Sequence, residues 1–417
     1  MSGEARAVWA EVEARSGGFE EQVLLESPFA TVPVDLGDAV ALVGALAADS
    51  DHARVLRMLD VTVEGRRSAA LKAAVLADPP GPDERVEDWG KRVFAGRTFS
   101  VMVNAAERWS EPVARAAAEL FAPAREAFGI PQHLYRVSLF MGDYGFTPSG
   151  VHRDVGRDER VLHLNVGPGR KTFHSWPVET YRRLTGTTRA TFDPDPLLPH
   201  ADTHEMRPGD LLMLNVSRYH VGHSAELSAT FGFEMSKMTA REVVREAAAA
   251  ALGEVLDAGA DPVGRGPGFA PVPVDYTDLD WAGLPAARLD AWLADAVETY
   301  TARQRSNAGL SLSPVPLPEV DAAALAAGAV RLAAPFPLVV REHADRCDVY
   351  VRGRRVTVPR ADALLGLVER LSTGEEAATA DLLPTEERER RLVLRLLTQL
   401  TRLRGVDAVP PAAAAPA

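Results

Sequence analysis

The sequence predicts an α+β protein: a closed antiparallel β core, helical elements before and after it, and a small mixed domain near the C-terminal end. Three observations predict it. Strand-like runs punctuated by glycine and proline turns fill the middle of the chain, helical apolar spacing dominates before them, and after Ser236 an alanine-rich stretch is followed by prolines and glycines.

Up to about residue 130 the chain reads as mixed and largely helical. Val40, Val43, Leu46 and Ala47 have helical spacing, as do Val113, Ala117, Leu120 and Phe121, so each set forms a stripe that faces a core. Thr98 to Asn104 reads as a strand, and Ala105 to Ser110 leads into the next helix. Leu134 to Met141 is another strand, which delivers the chain to a loop of glycine and proline from Gly142 to Gly150.

That loop ends in Ser149-Gly150-Val151-His152-Arg153-Asp154, and a further histidine, His220, lies well downstream. In an extended segment alternate side chains point the same way, so His152 and Asp154 face one point while Arg153 faces away. A third ligand must then arrive from another strand. Pro208-Gly209-Asp210 is a turn, and Leu211 to Val216 after it is a buried strand that leads to His220. Two imidazoles and one carboxylate on one face of a metal leave its other positions open, the arrangement that favours non-haem Fe(II). His223 is the rival third ligand, otherwise a residue of the channel or of the layer behind the ligands, and His163, His174, His200 and His204 read as ordinary polar residues.

With these motifs in place, residues from about Trp89 to Ser236 resemble the JmjC or cupin-type Fe(II) and 2-oxoglutarate-dependent oxygenases, in particular the branch that contains the ribosomal-protein hydroxylases. The resemblance rests on Gly142 to Asp154, Leu164 to Phe173, Pro208 to His220, and Thr230-Phe231-Gly232-Phe233, in that order. The interval from Pro208 to His220 is the cupin-type one, which favours His220 over His223. The resemblance implies a double-stranded β-helix (cupin or jelly-roll) core with His152, Asp154 and His220 as metal ligands, Fe(II) as the metal, and 2-oxoglutarate and O2 as cosubstrates. It also implies a basic residue on the strand after the metal pair to hold the distal carboxylate of 2-oxoglutarate. Lys171, just past a hairpin turn at Gly167-Pro168-Gly169-Arg170, is the best match and Arg170 the alternative; strand alternation lets only one of them point inward. Thr147, Ser149 and Asn165 are further candidate contacts to the cosubstrate.

Composition agrees with a soluble enzyme. At 417 residues the chain is long enough for two or three domains, and 46% hydrophobic residues can fill their cores. The single cysteine, Cys347, excludes an intrachain disulfide and fits the reducing cytoplasm. The N-terminal stretch lacks the features of a secretion signal, and no apolar run approaches a membrane span. A formal net charge of −12 argues against unspecific nucleic-acid binding.

After the β core, Arg241 to Leu256 reads as a helix, Gly259 to Val274 as a linker, and Leu284 to Tyr300 as a helix with Leu289, Trp292 and Val297 on its apolar face. Leu338 to Arg341 and Asp348 to Arg352 alternate like strands, Arg352-Gly353-Arg354-Arg355 reads as a turn before Val356 to Val358, and helices follow. Thr385 is the expected cap of the last helix and Gly405 its end. This part resembles the winged-helix tail of the ribosomal oxygenases, and the middle helices their dimerisation segment. Acidic residues interrupt every arginine cluster, so the tail reads as a protein-contact or dimer-support element rather than a DNA reader.

The expected layout is therefore residues 1–240 as the oxygenase domain with its helical N-terminal part, 241–318 as a helical linker and dimerisation segment, 319–408 as the winged-helix-like domain and 409–417 as a disordered tail. The expected function is hydroxylation of a side chain of a protein or peptide, either a ribosomal protein or a ribosomally made peptide, by a cytoplasmic homodimer. Two rivals stand beside it: a metal-dependent cupin that does not use 2-oxoglutarate, and a catalytically silent scaffold whose tail recruits a partner. A nucleophile elbow, a phosphate loop and a CxxC zinc pattern are all missing from the sequence, which sets hydrolases and nucleotide enzymes aside.

Overall fold

The computed structural model describes residues 2–81, 84–156, 158–259 and 289–409. Its first part contains β1 (Val23–Leu25), β2 (Leu59–Val63), β3 (Arg66–Arg67), β4 (Phe99–Val103), β5 (His133–Gly142), β6 (Gly145–Phe146), β7 (Asp158–Pro168), β8 (Lys171–Trp176), β9 (Asp202–Met206), β10 (Leu211–Asn215), β11 (Tyr219–Ser224) and β12 (Ser228–Lys237). They form two antiparallel sheets, one of eight strands in the order β1-β10-β7-β12-β5-β4-β2-β3 and one of four in the order β6-β11-β8-β9. The α+β class is as predicted.

Each face of the eight-stranded sheet has its own cover. Phe231, Phe233 and Met235 of β12 alternate outward with Leu162 and Leu164 of β7, and join Leu42, Val43, Leu46, Trp89, Val113, Leu120 and Phe121 from the helices in one buried cluster. The apolar stripes expected at residues 40–47 and 113–121 thus lie on the helices Leu36–Ala48 and Glu111–Leu120. Ser110 caps the second of these, its hydroxyl accepting the Val113 N–H. Between the sheets sit Val161, Phe173, Met206, Leu212, Leu214 and Val216. The outer face of the small sheet buries Trp176, Tyr219 and Val221 under Tyr181 and Leu197. Burying each such side chain contributes about 1.5–3 kcal/mol, so the layers hold without help from disulfides.

One local expectation is corrected here. Gly167 to Arg170 does not close a hairpin, because β7 pairs with β10 and β12 in the large sheet while β8 pairs with β9 and β11 in the small one. The turn instead carries the chain from one sheet to the other.

The helix Ala240–Gly259 packs against the helix Leu289–Ser306, with Val243, Val297 and Tyr300 meeting Leu134 and Met238. The expected linker lies outside the described residues beyond Gly259, as do Leu284 and residues 410–417 of the tail. The C-terminal part holds β13 (Ala329–Leu332), β14 (Val339–Glu342), β15 (Arg346–Val351), β16 (Arg354–Pro359), β17 (Ala377–Ala378) and β18 (Val406–Val409), in two three-stranded sheets. Helices Asp362–Ser372 and Glu387–Arg402 close over them, and Leu364, Leu367, Val393, Leu396 and Leu400 make a separate core. Arg352 and Gly353, both at positive φ, form the two-residue turn between β15 and β16. The last helix is capped by Glu386, whose carboxylate accepts the Arg388 and Glu389 N–H groups, not by Thr385. A carboxylate one residue nearer the helix reaches two free N–H groups and meets the positive end of the dipole.

Arg352 fastens the C-terminal part to the first. Its side chain is 1% exposed, donates to the Glu111 carboxylate at 2.7 and 3.0 Å and to Asn307 Oδ1 at 3.1 Å, and lies 3.5 Å from the Phe336 ring centroid. Arg352→Ala should lower unfolding stability by about 3 kcal/mol, because Asn307 Oδ1 loses its donor while Glu111 loses the nearest of its three arginines. A urea midpoint unchanged from wild type would show that the clamp contributes nothing.

Glu107 offers a second measurement. It is buried, accepts the Val137 N–H at 2.9 Å through one oxygen and leaves the other without a partner. Burial raises its pKa to about 8. Between the ordinary carboxyl range and pH 8 the unfolded chain therefore releases a proton that the folded chain keeps, and stability falls as pH rises. Glu107→Gln keeps the acceptor for Val137 and should flatten this decline, leaving the variant at least about 1 kcal/mol more stable than wild type at pH 8. Parallel pH–stability curves for the two proteins would refute the assignment.

Candidate metal centre and its cavity

The loop after β5 returns to the small sheet by main-chain bonds. Val151 pairs with Thr191, and His152 exchanges both hydrogen bonds with His220, at 3.1 and 2.7 Å. The Asp154 N–H donates to the Val216 carbonyl at 2.9 Å, which fixes the carboxylate beside the two rings. One ligand atom each from His152, Asp154 and His220 lies within 4.8 Å of the others. Among the described residues this is the only such group of three or more.

Both imidazoles are oriented by their own backbone. His152 Nδ1 lies 2.8 Å from the Gly150 carbonyl, and His220 Nδ1 lies 3.0 Å from the Arg218 carbonyl. A carbonyl only accepts, so each Nδ1 carries the proton and each Nε2 keeps a lone pair for a metal. Burial, and after it the neighbouring His152 ring, holds the His220 imidazole below its ordinary range, so it stays neutral and available to a metal. Arg153 turns away as the alternation requires, its guanidinium 5.5 Å from the Tyr219 ring centroid.

The triad opens into a cavity of about 210 Å³ between the two sheets. Strand alternation selects its walls. Glu159, Val161 and His163 come from β7, Lys171 and Phe173 from β8, His220 and Gly222 from β11, and Glu234 from β12. Thr147 and Ser149, the other expected cosubstrate contacts, line it as well.

Lys171 is 2% exposed. Its ammonium donates to Ser224 Oγ at 2.9 Å and to the Tyr144 hydroxyl, and it lies 4.4 Å from the Tyr144 ring centroid. No ion pair joins it to a carboxylate among the described residues. Arg170 points outward and pairs with Glu205 at 2.8 Å, which removes it as the alternative.

Three expectations need correction. Asn165 is fully buried, yet its amide is spent on the turn between sheets: Nδ2 donates to the Gly169 and Met206 carbonyls at 3.0 and 3.1 Å, and Oδ1 accepts the Gly167 N–H at 3.0 Å. It is absent from the cavity wall. His223 sits on the outer face of β11 with its ring 4.5 Å from Phe146, so it neither joins the triad nor lines the channel. His163, read as an ordinary polar residue, instead lines the cavity. Neither of its ring nitrogens has a hydrogen-bond partner among the described residues, and burial lowers its pKa to about 3. It faces Gly232, where an added Cβ would come within 3.3 Å of its ring. Period-two alternation from Val161 marks the face of His163; which residue stands opposite depends on long-range pairing and cannot be read locally.

Comparison with protein-family models and with curated proteins finds no match. Solved structures do match in fold. The X-ray structure of Escherichia coli ycfD aligns over 96% of this chain and 98% of its own, with 18% identity and a TM-score of 0.51. Two other structures of that protein, described as the ribosomal oxygenase YcfD in complex with cobalt and 2-oxoglutarate and with cobalt and succinic acid, each align at 18% identity and a TM-score of 0.48 over the same shares of both chains.

Gly222 makes room for the lysine head. A Cβ there would stand 2.9 Å from Thr147 Oγ1 and 3.3 Å from Lys171 Nζ. Gly222→Ala should displace both groups and weaken binding of a carboxylate ligand by about tenfold, while the affinity of the triad for Fe(II) stays within about twofold. Equal losses for metal and carboxylate, measured by anaerobic calorimetry, would mean that the substitution damages the strand and not the lysine pocket.

Proposed function

We propose that this chain is an Fe(II)- and 2-oxoglutarate-dependent oxygenase that hydroxylates a side chain of a protein or peptide, releasing succinate and CO2. The observation that carries the reading is Lys171: a buried ammonium, without a carboxylate partner among the described residues, in the same cavity as a His, Asp and His triad. A buried cation is costly unless something pairs with it, and the distal carboxylate of 2-oxoglutarate is an anion of the required kind.

The donor set fits the metal: two imidazole nitrogens and one carboxylate on one side, with the cavity on the other. His152, Asp154 and His220 hold Fe(II), and Lys171, Tyr144 and Thr147 hold the carboxylate end of the cosubstrate. Bound metal, 2-oxoglutarate and O2 supply the oxidising chemistry. The chain itself positions the reactants and excludes water, the role of Val161, Phe173 and Val216 along the wall. Asp60, Glu159 and Glu234 on the same wall offer acceptors to an N–H-bearing substrate side chain. The fold shared with E. coli ycfD agrees with this assignment.

On this reading residues 1–240 are the oxygenase domain, built as a double-stranded β-helix with a helical N-terminal part. Residues 241–318 are the linker and dimerisation segment of a homodimer, and 319–408 a winged-helix-like domain that serves protein contact rather than nucleic acid. Among the described residues no helix is long and apolar enough to cross a membrane, which agrees with a cytoplasmic enzyme.

Anaerobic titration of metal-free protein with Fe(II) and then 2-oxoglutarate tests the proposal through the visible charge-transfer band of the chelate. Wild type should develop the band, His220→Ala should not, and Lys171→Ala should need about ten- to a hundredfold more 2-oxoglutarate while binding Fe(II) normally. Tight Fe(II) binding with no band would move the assignment to a metal-dependent cupin of other chemistry.

A further inference from the structure

A second pocket, of about 320 Å³, lies where the three parts of the chain meet, and it shares no residue with the metal cavity. Arg108 enters it from the short turn Ala106–Arg108, Arg303 and Gln304 from the helix Leu289–Ser306, and Arg354 from the first position of β16. Asn307 and Ser311 contribute to its polar wall, and among the described residues no aspartate or glutamate lines it.

The three guanidinium groups are not equivalent. Arg303 is neutralised by an ion pair with Glu254. Arg108 and Arg354 have no ion pair among the described residues. Arg108 donates through Nε to the Ser313 carbonyl at 3.2 Å, and Arg354 through one terminal nitrogen to the Pro314 carbonyl at 3.2 Å. Both terminal nitrogens of Arg108 and one of Arg354 make no hydrogen bond among the described residues. Both side chains are half-buried, and their surroundings disfavour the charge: burial weighs first on each, then the like charges of Arg54 and Arg354 on Arg108, only partly offset by Asp49 and Glu107, and those of Arg54 and Arg402 on Arg354. Two half-buried cations without an ion-pair partner among the described residues cost free energy that an anion joining them would offset. They stand out in a chain whose formal net charge is −12.

We propose that this pocket binds a small oxyanion with two negative charges, of the phosphate type, held between Arg108 and Arg354. Two guanidinium charges left open match a dianion, and the free terminal N–H groups supply the forked donors that oxyanions take. A formal net charge of −12 disfavours a nucleic-acid polyanion, so the ligand is taken as a free anion. Because Arg108, the long helix and the β15–β16 turn belong to different parts of the fold, the anion ties them together, and it stabilises the docked arrangement by linkage.

The test uses the full chain and inorganic phosphate at constant ionic strength, read by calorimetric titration and by the thermal midpoint. Wild type should give one saturable site and a midpoint that rises with phosphate. Arg108→Gln and Arg354→Gln should each weaken binding about tenfold or more. Lys171→Ala, which alters only the other cavity, should bind phosphate as wild type does. Using two single variants guards against one of them failing to fold, since circular dichroism checks each. Succinate at matched ionic strength, compared with phosphate on Lys171→Ala so that the metal cavity does not contribute, separates a phosphate-type ligand from a dicarboxylate. Stronger binding of succinate than phosphate, a response that follows ionic strength alone, loss of binding in Lys171→Ala, or unchanged affinity in both arginine variants would overturn the proposal.

Discussion

The reciprocal main-chain pair between His152 and His220 is the constraint on which the site depends. Its two hydrogen bonds, at 3.1 and 2.7 Å, join a loop that leaves β5 to a strand far downstream, and they place the imidazole rings 4.6 Å apart between centroids. Side chains alone would hold such a distance poorly, because two mutually close rings gain little by meeting without a metal. Backbone bonds do not depend on an ion, so the chain folds with two of its three donors already in place. The Nδ1 contacts to Gly150 and Arg218 then remove the remaining freedom, that of ring flip and tautomer. Pre-organisation of this kind lowers the entropic cost of binding.

The turn at Asp210 shows how the distant strand is delivered. Asp210 accepts the Arg207 N–H at 2.8 Å and the Ser27 N–H at 3.0 Å, while Gly209 takes a positive φ and donates to the Asn165 carbonyl at 2.7 Å. The buried β10 leaves this turn in a single register, opposite β7 on one side and β1 on the other. A slip by one residue would send Leu212 and Leu214 to the wrong face and carry His220 out of the cavity.

Much of the site was legible because its chemistry is encoded locally. His152 and Asp154 are two apart on an extended segment, His220 follows a proline-glycine-aspartate turn and a buried strand, and the choice between Arg170 and Lys171 is a matter of parity. Asn165 departs from its local signal for the opposite reason. Its parity is right, but the turn that moves the chain between sheets takes up its whole amide, and sheet membership is a long-range property that glycine and proline do not announce. His163 escaped notice because its meaning comes from Gly232 on a strand paired only in the folded chain. The cap at Glu386 rather than Thr385 is a smaller error of the same sort, one residue of boundary decided by geometry.

Buried cations divide this protein by role. Arg352 is surrounded by Glu111, Asn307 and Phe336, so its charge is neutralised within the chain and the side chain holds the C-terminal part in place. Among the described residues the Lys171 ammonium bonds to hydroxyl groups and lies over aromatic rings, and these stabilise a cation without neutralising it. The difference lies in the carboxylate, not in the depth of burial: 1% exposure of the Arg352 side chain against 2% for Lys171 makes the two comparably dry. A cation whose counter-ion is part of the chain stabilises the fold at all times, whereas one without a counter-ion among its neighbours leaves that interaction open to an anion. Reading buried charges for the partner they lack therefore locates binding chemistry that burial alone does not distinguish from architecture.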